Sequence, residues 1–400
     1  MPPSQLAAAA TVREWTPPSV IRIGILATAE ERHGGTLLYT LSMIEALKLL
    51  PASRYQLSLF TTATNREYDK LGLPVTRLGS AAALAVARIT GRDPFATVDR
   101  IIAPIYSTAL LTTSRPFAFT LHDLQEKYYP QHFSRMTRSW RHVTNQLLTD
   151  RASRVLCESQ FVKRDIIRFF KVPEARIAVV PAPPISQLGG DQDQSLSLVE
   201  IRAKFDLPET FVLYPAQFWP HKNHLRLVEA FALLAAAHPD CVLVLTGRPR
   251  DDYDKVVRRI EQLGLTSRVR HVGHIDAIKL AALYKAATVV AIPTLFESIS
   301  LPVFEAFSFG TAVCASNVVA LPEQIGDAGL LFDPLAVEDI AEKISTLLTS
   351  PDLRHQLIQR GRLRMARVSR ADYAQQLSQI LDSMGDKTSF VPAGRPRIHD

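Results

Sequence analysis

The chain has 400 residues, more than one hydrophobic core ordinarily fills, so two domains are expected. Hydrophobic residues make up 47% and charged residues 21%, which excludes wholesale disorder, and three scattered cysteines exclude a disulfide framework or a cysteine zinc site. The net charge of +7 is uneven: residues 1–188 hold 23 Lys and Arg against 14 Asp and Glu, while the remainder holds 23 against 25.

Residues 6–10 are apolar but have no basic flank before them, so they read as a lead-in and not as a signal peptide. The longest apolar stretch, 280–296, is broken by Lys285 and Pro293 and falls short of a membrane-spanning helix. A soluble, cytoplasmic protein is the expectation, with contact at the inner face of a membrane left open.

Residues 20–26 form an apolar run of strand length. His33-Gly34-Gly35-Thr36 follows, then a helical pattern over 37–50 carried by Leu37, Leu38, Leu41, Ile44, Leu47 and Leu50. Strand, glycine turn and helix are the opening unit of a doubly wound α/β domain. Strands are expected at 56–60, 100–102, 117–121, 154–157 and 177–180, alternating with helices, notably 141–150 and 160–170. That alternation implies a mainly parallel sheet.

Residues 181–197, rich in Pro, Gly, Gln, Asp and Ser, read as a linker. The pattern then restarts, with strands expected at 211–214, 241–245, 269–272, 288–292 and 312–314. Helices fall at 225–238, 253–263, 277–286, 302–309 and 337–348, and a last one at 371–384. The expected division is therefore 1–188, 189–370 and a tail, 371–400, whose helix packs back on the first domain. A ligand belongs in the cleft between two such domains, at the carboxyl ends of the strands.

Four groups of residues suggest chemistry. Glu297 and Glu305 stand seven residues apart around Pro302, which suits the start of a helix. Glu297 is expected in the loop before that helix and Glu305 in its first turn. Helix N-termini attract phosphate, and carboxylates there bind paired sugar hydroxyls; the plainer alternative is two solvated or dipole-complementing acids. Tyr214–His224 runs from a strand into a loop where Lys222 precedes a helix, a place to neutralise a diphosphate or simply an exposed turn lysine. His122, after the strand 117–121, either faces the cleft as a proton carrier or is held structurally by Asp123. Gly34-Gly35 suits close backbone approach to a phosphate, or only a tight turn.

No nucleotide phosphate loop, dinucleotide fingerprint, zinc-protease helix or serine-hydrolase elbow is present. Asp191-Gln192-Asp193 matches a metal-holding Asp-x-Asp pattern but lies in the polar linker with no strand before it, so linker is the better reading.

Together these pieces resemble the family 4 retaining glycosyltransferases of the GT-B fold, in which two Rossmann-like doubly wound domains face across a cleft. The resemblance rests on Pro293, Glu297, Leu301-Pro302 and Glu305-Ala306, then Gly310-Thr311 and Leu321-Pro322-Glu323 through Gly329. The segment Trp219-Pro220-His221-Lys222-Asn223-His224 is similar to the family's donor-phosphate lysine segment. Leu121-His122-Asp123 and Ser159-Gln160-Phe161 are similar to segments of its first domain.

The resemblance implies transfer of a hexosyl unit, with mannosyl from GDP-mannose favoured, to a glycan or lipid-linked acceptor in polysaccharide or lipopolysaccharide biosynthesis. It also implies a set of roles. Glu305 would hold the ribose, Glu297 the transferred sugar and Lys222 the diphosphate. Gly273-His274-Ile275 would border the base, Gly34 and Gly35 would approach the donor from the first domain, and Gln217 and Leu301 would complete the donor site. His122, with Glu297, would be catalytic. No metal and no other cofactor is required if Lys222 and the helix N-terminus supply the positive charge.

Two departures stand out. Ala216-Gln217 replaces the Gly-Arg of many members, with Arg248 and Arg250 as candidate substitutes, and Ser298-Ile299-Ser300 stands where Gly is common. A sugar-nucleotide epimerase of the same architecture and a non-catalytic sugar-binding protein are the alternatives. The positive charge, with no recognisable nucleic-acid module, points away from nucleic acid. Lys127, Arg135, Arg138 and Arg141, among Tyr128, Tyr129, Phe133 and Trp140, suit an anionic membrane surface, or form a solvated basic face.

Overall fold

The computed structural model describes residues 20–30, 35–62, 66–181, 196–367 and 369–384. In the first domain β1 (Ile21–Leu26), β2 (Tyr55–Thr61), β3 (Val75–Arg77), β4 (Arg100–Ala103), β5 (Phe117–Thr120), β6 (Arg154–Cys157) and β7 (Ile177–Val179) form one parallel sheet of order β3-β2-β1-β4-β5-β6-β7. The second domain repeats the plan with β8 (Phe211–Pro215), β9 (Val242–Thr246), β10 (Val269–His271), β11 (Val289–Ile292), β12 (Ala312–Ser316) and β13 (Leu330–Phe332), ordered β10-β9-β8-β11-β12-β13.

The central strands are continuous apolar runs because helices cover both faces of each sheet. All of Val242–Thr246 and Val289–Ile292 is buried. In each sheet the order reverses beside the first strand, between β1 and β4 and between β8 and β11. Chains leaving these neighbours diverge to opposite faces, which opens a crevice at their carboxyl ends. This is the expected α/β class and GT-B layout.

Some elements differ from expectation. Strands β3 and β13 are three-residue edge strands, too short to carry a period. The helix expected at 141–150 runs from Arg135 to Arg151, since the Ser134 hydroxyl accepts the Thr137 N–H (3.0 Å) and caps an earlier start. An additional helix, Pro351–Ala366, packs closely on helix Leu301–Phe309: a Cβ on Gly361 would come within 2.6 Å of the Phe307 ring.

Helix Arg370–Ser383 follows the second domain in sequence but is buried in the first. Tyr373, Ala374, Leu377 and Leu381 join the core of Tyr39, Leu47 and Tyr55. Asp382 ties its end to Arg54 (2.6 Å) and to the Tyr55 hydroxyl (2.7 Å). The domains also meet directly. The Tyr129 hydroxyl donates to the Leu295 carbonyl (3.0 Å). The Glu323 carboxylate accepts the N–H groups of Gln160 (2.8 Å) and Phe161 (2.9 Å), capping a first-domain helix from the second domain.

Candidate active site

A cavity of about 730 Å³ lies between the two sheets, at the carboxyl ends of β1, β4, β5, β8 and β11. Gly35, His122, Gln217, Lys222, Glu297 and Leu301 all line it, so six of the residues singled out in the sequence meet in one place.

On the second-domain wall Lys222 ends a short turn, Pro220–Lys222, held from both sides. The Tyr214 hydroxyl donates to the Lys222 carbonyl (2.8 Å), and the Asn223 amide donates to the carbonyls of Pro293 and Pro334 (both 2.9 Å). Asn223 has φ 60°, a left-handed turn conformation Asn tolerates. Lys222 Nζ then meets Glu297 Oε2 at 2.5 Å. Burial pushes the Glu297 carboxyl up, more than Lys222 draws it down. Burial also lowers the neighbouring His221 to about 3, so this wall carries a neutral imidazole beside the ammonium.

Gln217 stands where the family resemblance leads one to expect an arginine, and its Oε1 accepts a hydrogen bond from Arg250 Nε (2.9 Å). The Arg250 guanidinium also lies 5.1 Å over the Trp219 ring. Gln217 and Trp219 line the cavity. Arg250 has no carboxylate partner among the described residues, in contrast to Lys222, whose charge Glu297 balances. Arg248, the other candidate, is exposed.

Helix Leu301–Phe309 points its N-terminus into the cavity through Ser300, Leu301 and Pro302. The Ser300 Oγ is buried and unpartnered. Glu305 sits in the second turn of this helix, not the first, because the helix begins at Leu301; it is buried and is not one of the residues lining the cavity. The Tyr284 hydroxyl donates to Glu305 Oε2 (2.5 Å), and burial raises the carboxyl to about 6.

On the first-domain wall Gly35 makes the close approach: a Cβ there would stand 3.3 Å from Leu301 of the other domain. Adjacent strands β5 and β6 deliver His122 and Glu158 side by side, and His122 Nδ1 pairs with the buried Glu158 carboxylate. Burial opposes a charge on His122, but Glu158 outweighs it and raises the imidazole's pKa. Tyr39 packs edge-on to this ring at 4.7 Å and reaches Tyr373 of the C-terminal helix (3.4 Å).

Asp123 is therefore not the partner of His122. It accepts from Arg141 (2.9 Å), which also faces Glu126 at 3.1 Å. Arg141 and Asn145 line the cavity, and the Asn145 Oδ1 is buried without a partner.

Other sequence candidates lie elsewhere. Gly34, Asp191 and Asp193 are outside the described residues. His274 and Ile275 follow β10, beyond the cavity wall, where the Gly247 N–H donates to the Gly273 carbonyl (2.9 Å). The basic cluster around Arg141 is also arranged differently from expectation. The helical period turns Arg141 inward, and Tyr129 is used in the domain contact; Arg135 and Trp140 remain exposed. Glu158 and Tyr284 were not expected, since each meets its partner from a different element, whereas Arg250 is one of the two arginines the sequence offered.

Comparison with known proteins matches both halves of the chain. The model for Glycosyltransferase Family 4 matches residues 47–183, and the model for Glycosyl transferases group 1 matches residues 200–364. An O-antigen chain mannosyltransferase B from Escherichia coli is 29% identical over 252 residues, covering 60% of this chain and 64% of the relative. A serotype-specific mannosyltransferase, WbdA, from Escherichia coli is 27% identical over 230 residues, 56% of this chain and 28% of the relative. The chain thus spans less than two thirds of either. The crystal structure of Anabaena HepE in complex with UDP-glucose superposes with a TM-score of 0.73 at 21% identity, over 91% of this chain and 100% of that one. Residues 47–183 and 200–364 are thus two glycosyltransferase domains of these families, and together they carry the GT-B fold.

Proposed function

We propose that the protein transfers a mannosyl unit from GDP-mannose to a glycan acceptor in surface-polysaccharide synthesis, with retention at the anomeric carbon. The observation that carries this reading is the Lys222–Glu297 pair facing His122 across one interdomain cavity. The mannosyl choice is supported by the two Escherichia coli relatives, whose names describe mannosyltransferases.

In this reading the bond from the anomeric carbon to the diphosphate oxygen breaks, and the acceptor hydroxyl attacks from the same face. Its proton passes to the departing phosphate oxygen. The chain's own part is placement and electrostatic stabilisation of the growing negative charge. Lys222, Arg250 and the N-terminus of helix Leu301–Phe309 supply positive charge on the donor side. Arg250 takes the place of the second cation, since a neutral amide and an indole hold it without cancelling it. Glu297 binds sugar hydroxyls, and Glu305 the ribose.

A melting-temperature panel with GDP, UDP, dTDP and ADP tests the donor, because a ligand at a hundred times its Kd stabilises by about 2.7 kcal/mol. GDP is expected to give the largest upward shift, followed by turnover of GDP-mannose. A larger shift with UDP or dTDP overturns the mannosyl reading, and isomerised donor formed without acceptor favours an epimerase. In an Arg250→Ala variant the GDP shift is expected to shrink and the donor KM to rise by about tenfold, roughly 1.4 kcal/mol.

Donor binding should also depend on pH through Glu305. Its ionised form is the stronger acceptor of hydroxyl hydrogen bonds, since protonation turns one carboxyl oxygen into a donor, and it takes up a proton near pH 6. The donor KM is therefore expected to climb as pH falls below about 6, and a Glu305→Gln variant should lose that limb of the profile.

A further inference from the structure

The loop that carries Glu297 leans on the other domain. Phe296, immediately before Glu297, is 5% exposed, yet it stands outside the apolar core of its own domain. Its ring lies 5.5 Å from Tyr128 and edge-on to Tyr129 at 6.1 Å, both of the first domain. That socket is fixed from behind: the Tyr128 hydroxyl donates to Asp165 (2.6 Å), and the Tyr128 ring packs on Phe161 at 5.7 Å. On the other side of Glu297, Ile299 packs against the first-domain core that contains Tyr39 and Tyr373.

A second contact reaches the same place. The Ala320 N–H donates to the Glu297 carbonyl (3.3 Å), and the Gln324 side chain accepts the Ser300 N–H (2.9 Å). Between these two holds on the loop, Glu323 accepts the N–H groups of Gln160 and Phe161 in the first domain. Arg364 steadies the segment by donating to the carbonyls of Glu323 (2.8 Å) and Gln324 (3.1 Å). Gln160 and Phe161 directly follow Glu158-Ser159, and Glu158 is the partner of His122. Phe161 thus serves both contacts, its ring in the aromatic socket and its N–H on the Glu323 carboxylate.

We infer that Phe296 and Glu323 are positioning residues, which key the Glu297 loop into the first domain and set Glu297 in register with His122 across the cavity. Neither lines the cavity, so Phe296 acts through Glu297, and Glu323 through the backbone beside Glu297 and Glu158. Burial of the ring holds the two walls together without a preferred direction, and the charge-assisted pair of N–H bonds supplies the direction. Reacting groups misplaced by about 1 Å lose on the order of a hundredfold in rate, which is what such a register protects. Its use in transfer rests on the reading above; the register itself does not.

Phe296→Ala and Glu323→Ala are each expected to lower kcat per folded molecule at least about tenfold while keeping the nucleotide-induced melting shift, since Lys222 and Arg250 remain. Tyr128→Ala, on the socket side, should be less than additive with Phe296→Ala, because both break one contact. The register is read directly from spin labels on Ala175→Cys and Gln262→Cys, one exposed position in each domain of a chain whose own cysteines are buried. One narrow interdomain distance is expected, broadened by Phe296→Ala/Glu323→Ala. An unchanged distance distribution overturns the inference, as do a kcat within about twofold of native in both single variants or fully additive losses with Tyr128→Ala. A nucleotide shift lost together with kcat overturns it too, since the residues then support the donor site itself. A native chain that turns over no nucleotide sugar would instead remove the transfer reading, and the distance measurement then decides this inference alone.

Discussion

A Lys222→Ala variant is expected to lose about a hundredfold in kcat/KM, roughly 2.7 kcal/mol of transition-state stabilisation. Two effects act together. The ammonium that would meet the leaving diphosphate is gone, and Glu297 is left buried with its partner removed. Burial and the charge of Asp123 already push the Glu297 carboxyl up, with Lys222 opposing them. Without Lys222 it takes up a proton more readily and ceases to be an ionised acceptor for sugar hydroxyls. A Lys222→Ala/Glu297→Gln double variant is therefore expected to be little worse than Lys222→Ala, because the two residues act as a unit. Steady-state kinetics on the four proteins check this; fully additive losses would mean that the pair does not function as one.

The second large effect is on stability. His122→Ala removes the partner of Glu158, whose side chain is 1% exposed, and leaves a carboxylate buried between β5 and β6. Breaking a buried pair on one side costs about 3–5 kcal/mol, enough to lower the melting temperature by roughly 6–20 °C in a domain of this size. The double variant His122→Ala/Glu158→Gln should recover much of that loss, since no charge remains to be buried. The sign with pH follows from the raised imidazole pKa, whose ordinary value is 6.5. The contribution of protonated His122 is complete below pH 6.5 and lost as pH rises through the folded-state value. The gap in melting temperature between wild type and His122→Ala should thus narrow toward alkaline pH. Scanning calorimetry across that range measures it, and a gap that widens would contradict the ion pair.

The sequence made the repeated strand-and-helix plan legible because buried parallel strands such as Val-Leu-Val-Leu in β9 are continuous apolar runs. What it hid has physical reasons. Three-residue strands at sheet edges owe their existence to pairing with β2 and β12, which no local pattern announces. Helix Pro351–Ala366 is polar around much of its circumference and carries Gly361 where a partner helix needs room, so its periodicity is weak.

The site divides in the same way. Lys222, Glu297 and Leu301 sit in contiguous segments whose spacing is itself a signal. Glu158 lies 36 residues from His122, and Arg250 lies 33 from Gln217; both pairings exist only once strands and loops are assembled. Glu305 falls in the second turn and not the first because the helix begins one residue before Pro302, which takes its second position.

The C-terminal helix has a mechanical consequence. The chain leaves the first domain after Val180, builds the second, and returns through residues 367–370 to seat Tyr373, Leu377 and Leu381 in the first core. Two covalent strands therefore bridge the halves. Separating the halves would have to break the Glu323 cap on the exposed end of helix Gln160–Phe170. Tyr373 touches Tyr39, which touches His122, so one of these connections is anchored against side chains that line the cavity.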